Sequence, residues 1–97
     1  MSYKIIFAPE AVEDIRELKA YLRAQVRDAL EQHLRHEPRR ISGSRIKRIR
    51  GTSQPQFRLR VGDLRVFYDV AVDTVEVLAV VFKSEAAVWL KRAEGSQ

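Results

Sequence analysis

The spacing of apolar residues predicts a strand and then a helix at the start of the chain. Tyr3, Ile5 and Phe7 alternate with their neighbours, as in a short strand. Pro9 follows at a point where the first turn of a helix tolerates a missing N–H. From there to about Lys19, apolar residues recur at every third position, which is typical of an amphipathic helix.

A second apolar stripe predicts a second helix, which forms a hairpin with the first. The stripe begins at Leu22 and continues past Leu34 to Glu37, where Pro38 should end the helix. The first helix carries four acids that we interpret as a solvated face, placed favourably for the helix dipole: Glu10, Glu13, Asp14 and Glu17.

From residue 45 onward the apolar spacing shifts toward two, and four strands are predicted. They span residues 45–50, 56–61, 64–70 and 75–82, and short polar turns between them favour antiparallel pairing of consecutive strands. Residues 75–82 are apolar at nearly every position, so this strand should lie centrally with both faces covered. Ser84 is the predicted cap of a terminal helix that ends near Arg92.

Length and composition favour one domain, residues 1–97. The predicted fold class is α+β: a four-to-five-stranded, mainly antiparallel sheet, packed by the N-terminal helical hairpin, with a short C-terminal helix. The absence of cysteine removes disulfides and thiolate metal sites and is compatible with a reducing cytoplasm. The apolar run at residues 5–7 is too short for a signal peptide or a membrane span. We therefore expect a cytoplasmic protein without a membrane partner.

Positive charge is concentrated in one stretch of the chain. Residues 39–65 hold nine of the 18 basic residues and one acid, Asp63, which gives a formal charge of +8. The remaining nine bases and twelve acids sum to −3. A local excess of this size repels itself, so it indicates a polyanionic partner such as a nucleic acid or a strongly acidic protein.

Alternation within the third predicted strand places two arginines on one face. Phe57 and Leu59 share the apolar face, so Arg58 and Arg60 project from the other, about 7 Å apart, close to the spacing of phosphates along an extended strand. In the next strand Arg65, Phe67 and Asp69 should face the same way. Two readings of Phe67 stay open. It is either a base-stacking platform among arginines or an aromatic covered by a loop or by the terminal helix.

The chain also resembles a known family. Residues 57–68 read FRLRVGDLRVFY, preceded by KRIRG at 47–51 and followed by VLAV at 77–80. With the order of elements and the chain length, this segment is similar to the RelE/ParE superfamily of toxins from type II toxin-antitoxin systems, over nearly the whole chain. The short helical hairpin is closer to the RelE branch. The resemblance implies the RelE-like microbial ribonuclease fold.

The resemblance further implies a growth-arresting toxin that a cognate antitoxin neutralises. In the RelE branch such a toxin inhibits translation by entering the ribosomal A site and cleaving messenger RNA as an endoribonuclease, without a metal or another cofactor. A DNA operator would be contacted only through the complex with the antitoxin. The alternative is a ParE-like toxin that inhibits DNA gyrase by binding, without nuclease activity.

Site residues follow from the same resemblance, position by position. The strand arginines match the family pattern, whereas Lys83 and Trp89 depart from its usual arginine and tyrosine. The implied catalytic set is Arg58, Arg60, Arg65, Lys83 and Trp89. Additional RNA contacts are predicted for Arg45, Lys47, Arg48, Arg50 and Phe67.

The chemistry of these residue types limits their roles. Arg65 suits bidentate phosphate binding, but Arg58 and Arg60 are poor proton acceptors because a guanidinium stays protonated. Lys83 can act as an acid or as a phosphate clamp. Trp89 can stack on a codon base but has no ionisable hydroxyl.

Two features of the helices remain. His33 and His36 are three residues apart and can share a helix face, but without nearby carboxylates they are read as surface or partly packed histidines with no role. Trp89 and Leu90 should pack onto the sheet, with cover by an antitoxin helix as the alternative.

Overall fold

Five strands and three helices make up the fold in a computed structural model that describes residues 2–95. In chain order they are β1 (Lys4–Phe7), α1 (Pro9–Arg16), α2 (Ala20–Ala29), β2 (Ile46–Arg48), β3 (Phe57–Val61), β4 (Leu64–Val70), β5 (Thr74–Phe82) and α3 (Lys83–Gly95). A turn of π-helix, Leu30–Leu34, continues α2. Among the described residues, no helix has the length and apolar character needed to cross a membrane.

The strands form one sheet in the spatial order β1-β5-β4-β3-β2. β2 to β5 pair antiparallel with their sequence neighbours, and β1 joins the edge of β5 in parallel. The predicted α+β class and mainly antiparallel sheet are therefore confirmed. β5 lies inside the sheet between β1 and β4, as its nearly continuous apolar sequence requires.

The core lies between one face of the sheet and the helical hairpin. Inward-facing strand residues such as Leu59, Val66 and Val77 meet Val26 and Leu34 from the helices. Tyr68 stacks on Phe57 in this core, with 5.4 Å between ring centroids. Its hydroxyl donates a 2.7 Å hydrogen bond to the carbonyl of Pro38, and burial raises the pKa of the phenol.

Several boundaries differ from the predictions. The first helix ends at Arg16, because the chain is already extended at Lys19 before α2 begins. The second ends its π-turn at Leu34, short of the predicted Glu37, and β2 covers residues 46–48 instead of 45–50. Ser84 is not a helix cap: β5 leads directly into α3, which begins at Lys83.

Candidate nucleic-acid interface

Basic side chains from β2, β3 and β4 lie on the face of the sheet opposite the core. Lys47 pairs with Arg58 across β2 and β3, and Arg60 pairs with Arg65 across β3 and β4. Their neighbours along each strand point into the core, so alternation directs these four side chains to the other face. We call Lys47, Arg58, Arg60 and Arg65 the basic face.

Arg65 is buried, and no carboxylate of residues 2–95 pairs with it. Only 8% of it is exposed, and its Nη1 donates 2.9 Å hydrogen bonds to the carbonyls of Gly62 and Leu64. Gly62 lies in the β3–β4 turn at a φ of 57°, a left-handed conformation that favours glycine. Ion pairs between residues 2 and 95 involve other arginines, so the charge of Arg65 is held in place but not neutralised. A buried charge of this kind favours binding of an anion.

Arg58 is also incompletely satisfied. Its Nη2 donates a 2.6 Å hydrogen bond to the carbonyl of Ser44. Its Nε is buried and has no hydrogen-bond partner within the described part of the chain. Burial lowers the pKa of Arg58, and the positive charges of Arg65 and Arg60 lower it further. The three strand arginines are therefore close enough to repel one another, and a bound phosphate would relieve the repulsion.

Lys83 lies at the end of the basic face that carries Arg60 and Arg65. It is the first residue of α3, and its backbone N–H donates a 2.8 Å hydrogen bond to the carbonyl of Asp63 in the β3–β4 turn. Lys83 is exposed. This anchor fixes the backbone from which the lysine side chain extends, beside the turn whose carbonyl holds Arg65.

Trp89 packs onto the sheet, as predicted, and covers the side chain of Phe67. Its indole stacks on the Phe67 ring with 4.8 Å between ring centroids and 10° between planes. The indole N–H donates a 2.5 Å hydrogen bond to Glu10 of α1. Phe67 is 0% exposed. The prediction of Phe67 as an open base-stacking platform is therefore wrong, because α3 folds back over β4 and its tryptophan covers the ring.

Three other predicted RNA contacts lie apart from the basic face. Arg48 is opposite Phe57, on the core side of the sheet, and its guanidinium carbon is 5.1 Å from the centre of that ring. Grouping Arg48 with Lys47 by charge is wrong, because adjacent residues of a strand face opposite sides. Arg50 follows β2 in the loop that leads to β3. Arg45 lies before β2, and its side chain lines a cavity with His33 near the end of α2.

Two acids of the presumed solvated face of α1 make long-range contacts. Glu10 holds Trp89, 79 residues away, and Asp14 accepts a 2.9 Å hydrogen bond from the backbone N–H of Val80 in β5. Burial raises the pKa of Asp14, and the carboxylates of Glu10, Glu17 and Glu85 raise it as well, against the hydrogen bond from Val80. The interpretation as a solvated acid is therefore wrong for Asp14, which is partly buried, whereas Glu10 is exposed and also bonds the indole.

Asp69 positions the loop between β2 and β3. One carboxylate oxygen accepts a 2.7 Å hydrogen bond from the backbone N–H of Gln56, and the other accepts a 2.8 Å bond from the side chain of Gln54. Gln54 lines a cavity of about 330 Å³ beside Trp89. The sequence carries no signal for this role beyond the outward orientation of Asp69. Within residues 2–95, no group of three or more His, Asp or Glu side chains could hold a metal ion.

Comparison with known proteins agrees with this geometry. Residues 5–86 match the family of ParE toxins of type II toxin-antitoxin systems (parDE). No curated protein matches the sequence. Among solved structures, a chain of the toxin-antitoxin complex RelBE2 from Mycobacterium tuberculosis is 26% identical, with a TM-score of 0.73 over 84% of this chain and 99% of that one. The isolated Escherichia coli RelE toxin is 26% identical, with a TM-score of 0.64 over 92% of this chain and 99% of that one.

A more distant structure shares the fold alone. A chain of the Staphylococcus aureus YoeB dimer is 15% identical, with a TM-score of 0.67 over 84% of this chain and 98% of that one. The family match covers most of the sequence, so the chain belongs to the ParE toxins of type II toxin-antitoxin systems. The prediction of the RelE/ParE superfamily is confirmed, and the RelE structures support a RelE-like branch. The protein is the toxin of such a system.

Proposed function

We propose that this toxin is a ribosome-dependent endoribonuclease that cleaves messenger RNA in the A site and so stops translation. The observation that supports the proposal is the basic face, where three arginines converge without a carboxylate partner among the described residues and one of them is buried. In the reaction, the 2′-OH of a ribose loses its proton to water and attacks the adjacent phosphate, while the bond from phosphorus to the 5′-oxygen of the next nucleotide breaks. The products are a 2′,3′-cyclic phosphate and a protonated 5′-hydroxyl. Negative charge develops on the phosphate oxygens, and fixed cations stabilise it.

The three arginines divide the work of binding and stabilisation. Arg65 is held by two carbonyls, so its free N–H groups are pre-oriented for the oxygens of the scissile phosphate. Arg58 and Arg60 are two positions apart on β3, so they can bind neighbouring phosphates of an extended strand. Preorganised donors of this kind contribute most when they need not move as charge develops.

Proton transfer requires groups other than the three arginines. Lys83, at the edge of the basic face, is the proposed acid for the leaving oxygen or a further phosphate clamp. The resemblance implies that Trp89 stacks on a codon base, but one face of its indole contacts Phe67 and its N–H bonds Glu10. We therefore propose Trp89 as a positioning residue that keeps α3, and with it Lys83, against the sheet.

A cognate antitoxin is the proposed protein partner, because the similar Mycobacterium tuberculosis chain belongs to a toxin-antitoxin complex. An acidic segment of such a partner would cover the basic face and block access of RNA to Arg58 and Arg65. Contact with an operator DNA would arise only through that complex. The proposed site of action is the cytoplasm, where the ribosomes are.

Primer extension on a defined message with stalled ribosomes tests the proposal. Wild type should give breaks at codon positions in the A site, and Arg65→Ala should abolish them. Arg27→Ala removes one exposed arginine from α2 and should leave the breaks unchanged. An intact message together with inhibited supercoiling by DNA gyrase would overturn the nuclease proposal in favour of gyrase inhibition.

A further inference from the structure

A second basic site lies beside the turn of residues 42–45, on the other side of β2 from the basic face. Here a cavity of about 240 Å³ opens between the end of the helical hairpin and the turn. Four of its lining side chains are basic or can become so: His33, His36, Arg40 and Arg45. Neither histidine has a role predicted from the sequence, and the proposed cleavage reaction uses none of these four side chains.

The local fold brings these residues together. α2 continues as a π-turn in which the N–H of Arg35 bonds the carbonyl of Leu30 at 3.2 Å, as occurs at the C-terminal ends of helices. Leu30 and Leu34 are buried and anchor the turn in the core, which leaves His33 half-buried at the cavity. On the opposite wall, the N–H of Arg45 bonds the carbonyl of Ser42 at 2.9 Å, which closes the turn that carries Arg45.

The charges around the cavity favour an anion. Burial lowers the pKa of His33, and the positive charge of Arg45, which faces it from the turn, lowers it further. Glu37 is the one acid of residues 2–95 that lines the cavity, and it pairs with Arg40 at 3.3 Å in an exposed and therefore weak contact. Among its described residues, the cavity thus holds one unpaired arginine and two imidazoles, with a single carboxylate already engaged.

The same turn connects the cavity to the basic face. The side chain of Arg58 bonds the carbonyl of Ser44, and the N–H of Arg60 bonds the carbonyl of Arg45 at 2.8 Å. The turn is therefore fastened to the basic face on one side and forms the cavity wall on the other. Because β2 is a three-residue edge strand, only a narrow rim separates the two basic sites.

We propose that this cavity is a second phosphate-binding site, which takes a backbone phosphate of RNA between the histidine pair and Arg45. The inference rests on the proposed function, because RNA is the ligand that the proposed function supplies. That phosphate belongs either to the cleaved message or to ribosomal RNA, and both present the same phosphodiester group. Binding an anion favours the protonated imidazole, so affinity rises as the pH falls through the pKa of His33.

Sulfate tests the site directly, without RNA, because it stays fully ionised in the pH range in which histidine titrates. The histidine ring protons are followed by NMR from about pH 5 to 8, with and without sulfate. Sulfate should raise the pKa of His33 in wild type and in Arg27→Gln, which removes an exposed arginine elsewhere. It should have no effect in Arg45→Gln. An unchanged His33 titration in wild type would overturn the proposal.

RNA then identifies the source of the phosphate. Binding of a short single-stranded RNA and of ribosomes is compared at about pH 6 and pH 8 for wild type and for a His33→Gln, His36→Gln double variant. If wild type binds free RNA more tightly at the lower pH and the double variant does not, the bound phosphate belongs to the message. The same effect with ribosomes alone assigns it to ribosomal RNA. Equal pH dependence of variant and wild type on both ligands overturns the proposal.

The outcomes also separate this site from the nuclease proposal. If messages stay intact but sulfate still raises the pKa of His33, the cavity binds anions and the proposed reaction fails. If Arg65→Ala abolishes cleavage but sulfate leaves the pKa of His33 unchanged, the proposed reaction is supported and the proposed second site is wrong.

Discussion

Arg60 lies directly opposite Arg65 across the β3–β4 pair, so two guanidinium groups of like charge are cross-strand neighbours on one face of the sheet. Such a pair destabilises a sheet by about 0.2–1 kcal/mol. Arg60→Gln should therefore raise the free energy of unfolding by an amount in this range, more at low salt than at high salt. Urea denaturation at two salt concentrations measures the effect.

The same substitution should weaken the toxin. If the arginines bind the substrate and do not stabilise the fold, Arg60→Gln should be more stable than wild type and should also lose cleavage of the message. A variant that is both less stable and fully active would contradict this view of the basic face.

Substitution of Arg65 should affect catalysis strongly. Removal of one fixed donor to a developing charge typically costs about 10²–10³-fold in rate, and we expect this loss for Arg65→Ala. Arg65→Lys should not restore the rate, because a single ammonium cannot bond both turn carbonyls and a phosphate in one planar geometry. Single-turnover cleavage rates measure the loss, and thermal denaturation of both variants checks that they are folded.

The contact between Trp89 and Glu10 should fasten α3 to α1. Trp89→Phe keeps a ring for Phe67 to stack on but removes the indole N–H, so we expect a mild loss of about 1 kcal/mol in stability and a small loss in activity. A double-mutant cycle with Glu10→Ala measures the coupling by urea denaturation. Additive effects of the two substitutions would show that the hydrogen bond contributes nothing.

Asp14 should make stability fall with rising pH in the acidic range. Its pKa is raised above the ordinary value of 3.8 in the folded chain, so the folded state binds a proton more tightly than the unfolded state. Ionisation therefore costs stability as the pH rises from about 3.8 through the folded pKa. Asp14→Asn keeps an oxygen acceptor for the N–H of Val80 and cannot ionise.

Comparison of the two proteins isolates that effect. The stability of Asp14→Asn relative to wild type should increase across this pH window and then level off above the folded pKa. Unfolding free energies from urea titrations at several pH values give the difference. A difference that does not change with pH would show that the carboxyl group titrates as in the unfolded chain.

The arginines could be placed from the sequence because a strand alternates its faces. Once Phe57 and Leu59 are read as core residues, Arg58 and Arg60 have one available side, and the short Gly62–Asp63 turn sets the pairing with β4. The same rule separates Lys47 from Arg48, which charge alone does not distinguish.

The contacts of α3 could not be predicted in this way. The sequence places an aromatic in the last helix but does not say where the helix folds back, so the cover over Phe67 and the bond to Glu10 became visible only in the structure. The cavity at His33 depends on the π-turn after α2, for which the apolar spacing carries no signal.

The salt dependence of RNA binding tests most directly whether the arginines hold phosphates. For a single-stranded ligand, the slope of log affinity against log salt falls by about 0.7 for each phosphate contact that is lost. Arg58→Gln, Arg60→Gln and Arg65→Gln should each reduce the slope by this amount. Arg48→Gln, on the core side of the sheet above Phe57, should leave the slope unchanged. Equal slopes for all four variants and wild type would contradict the account.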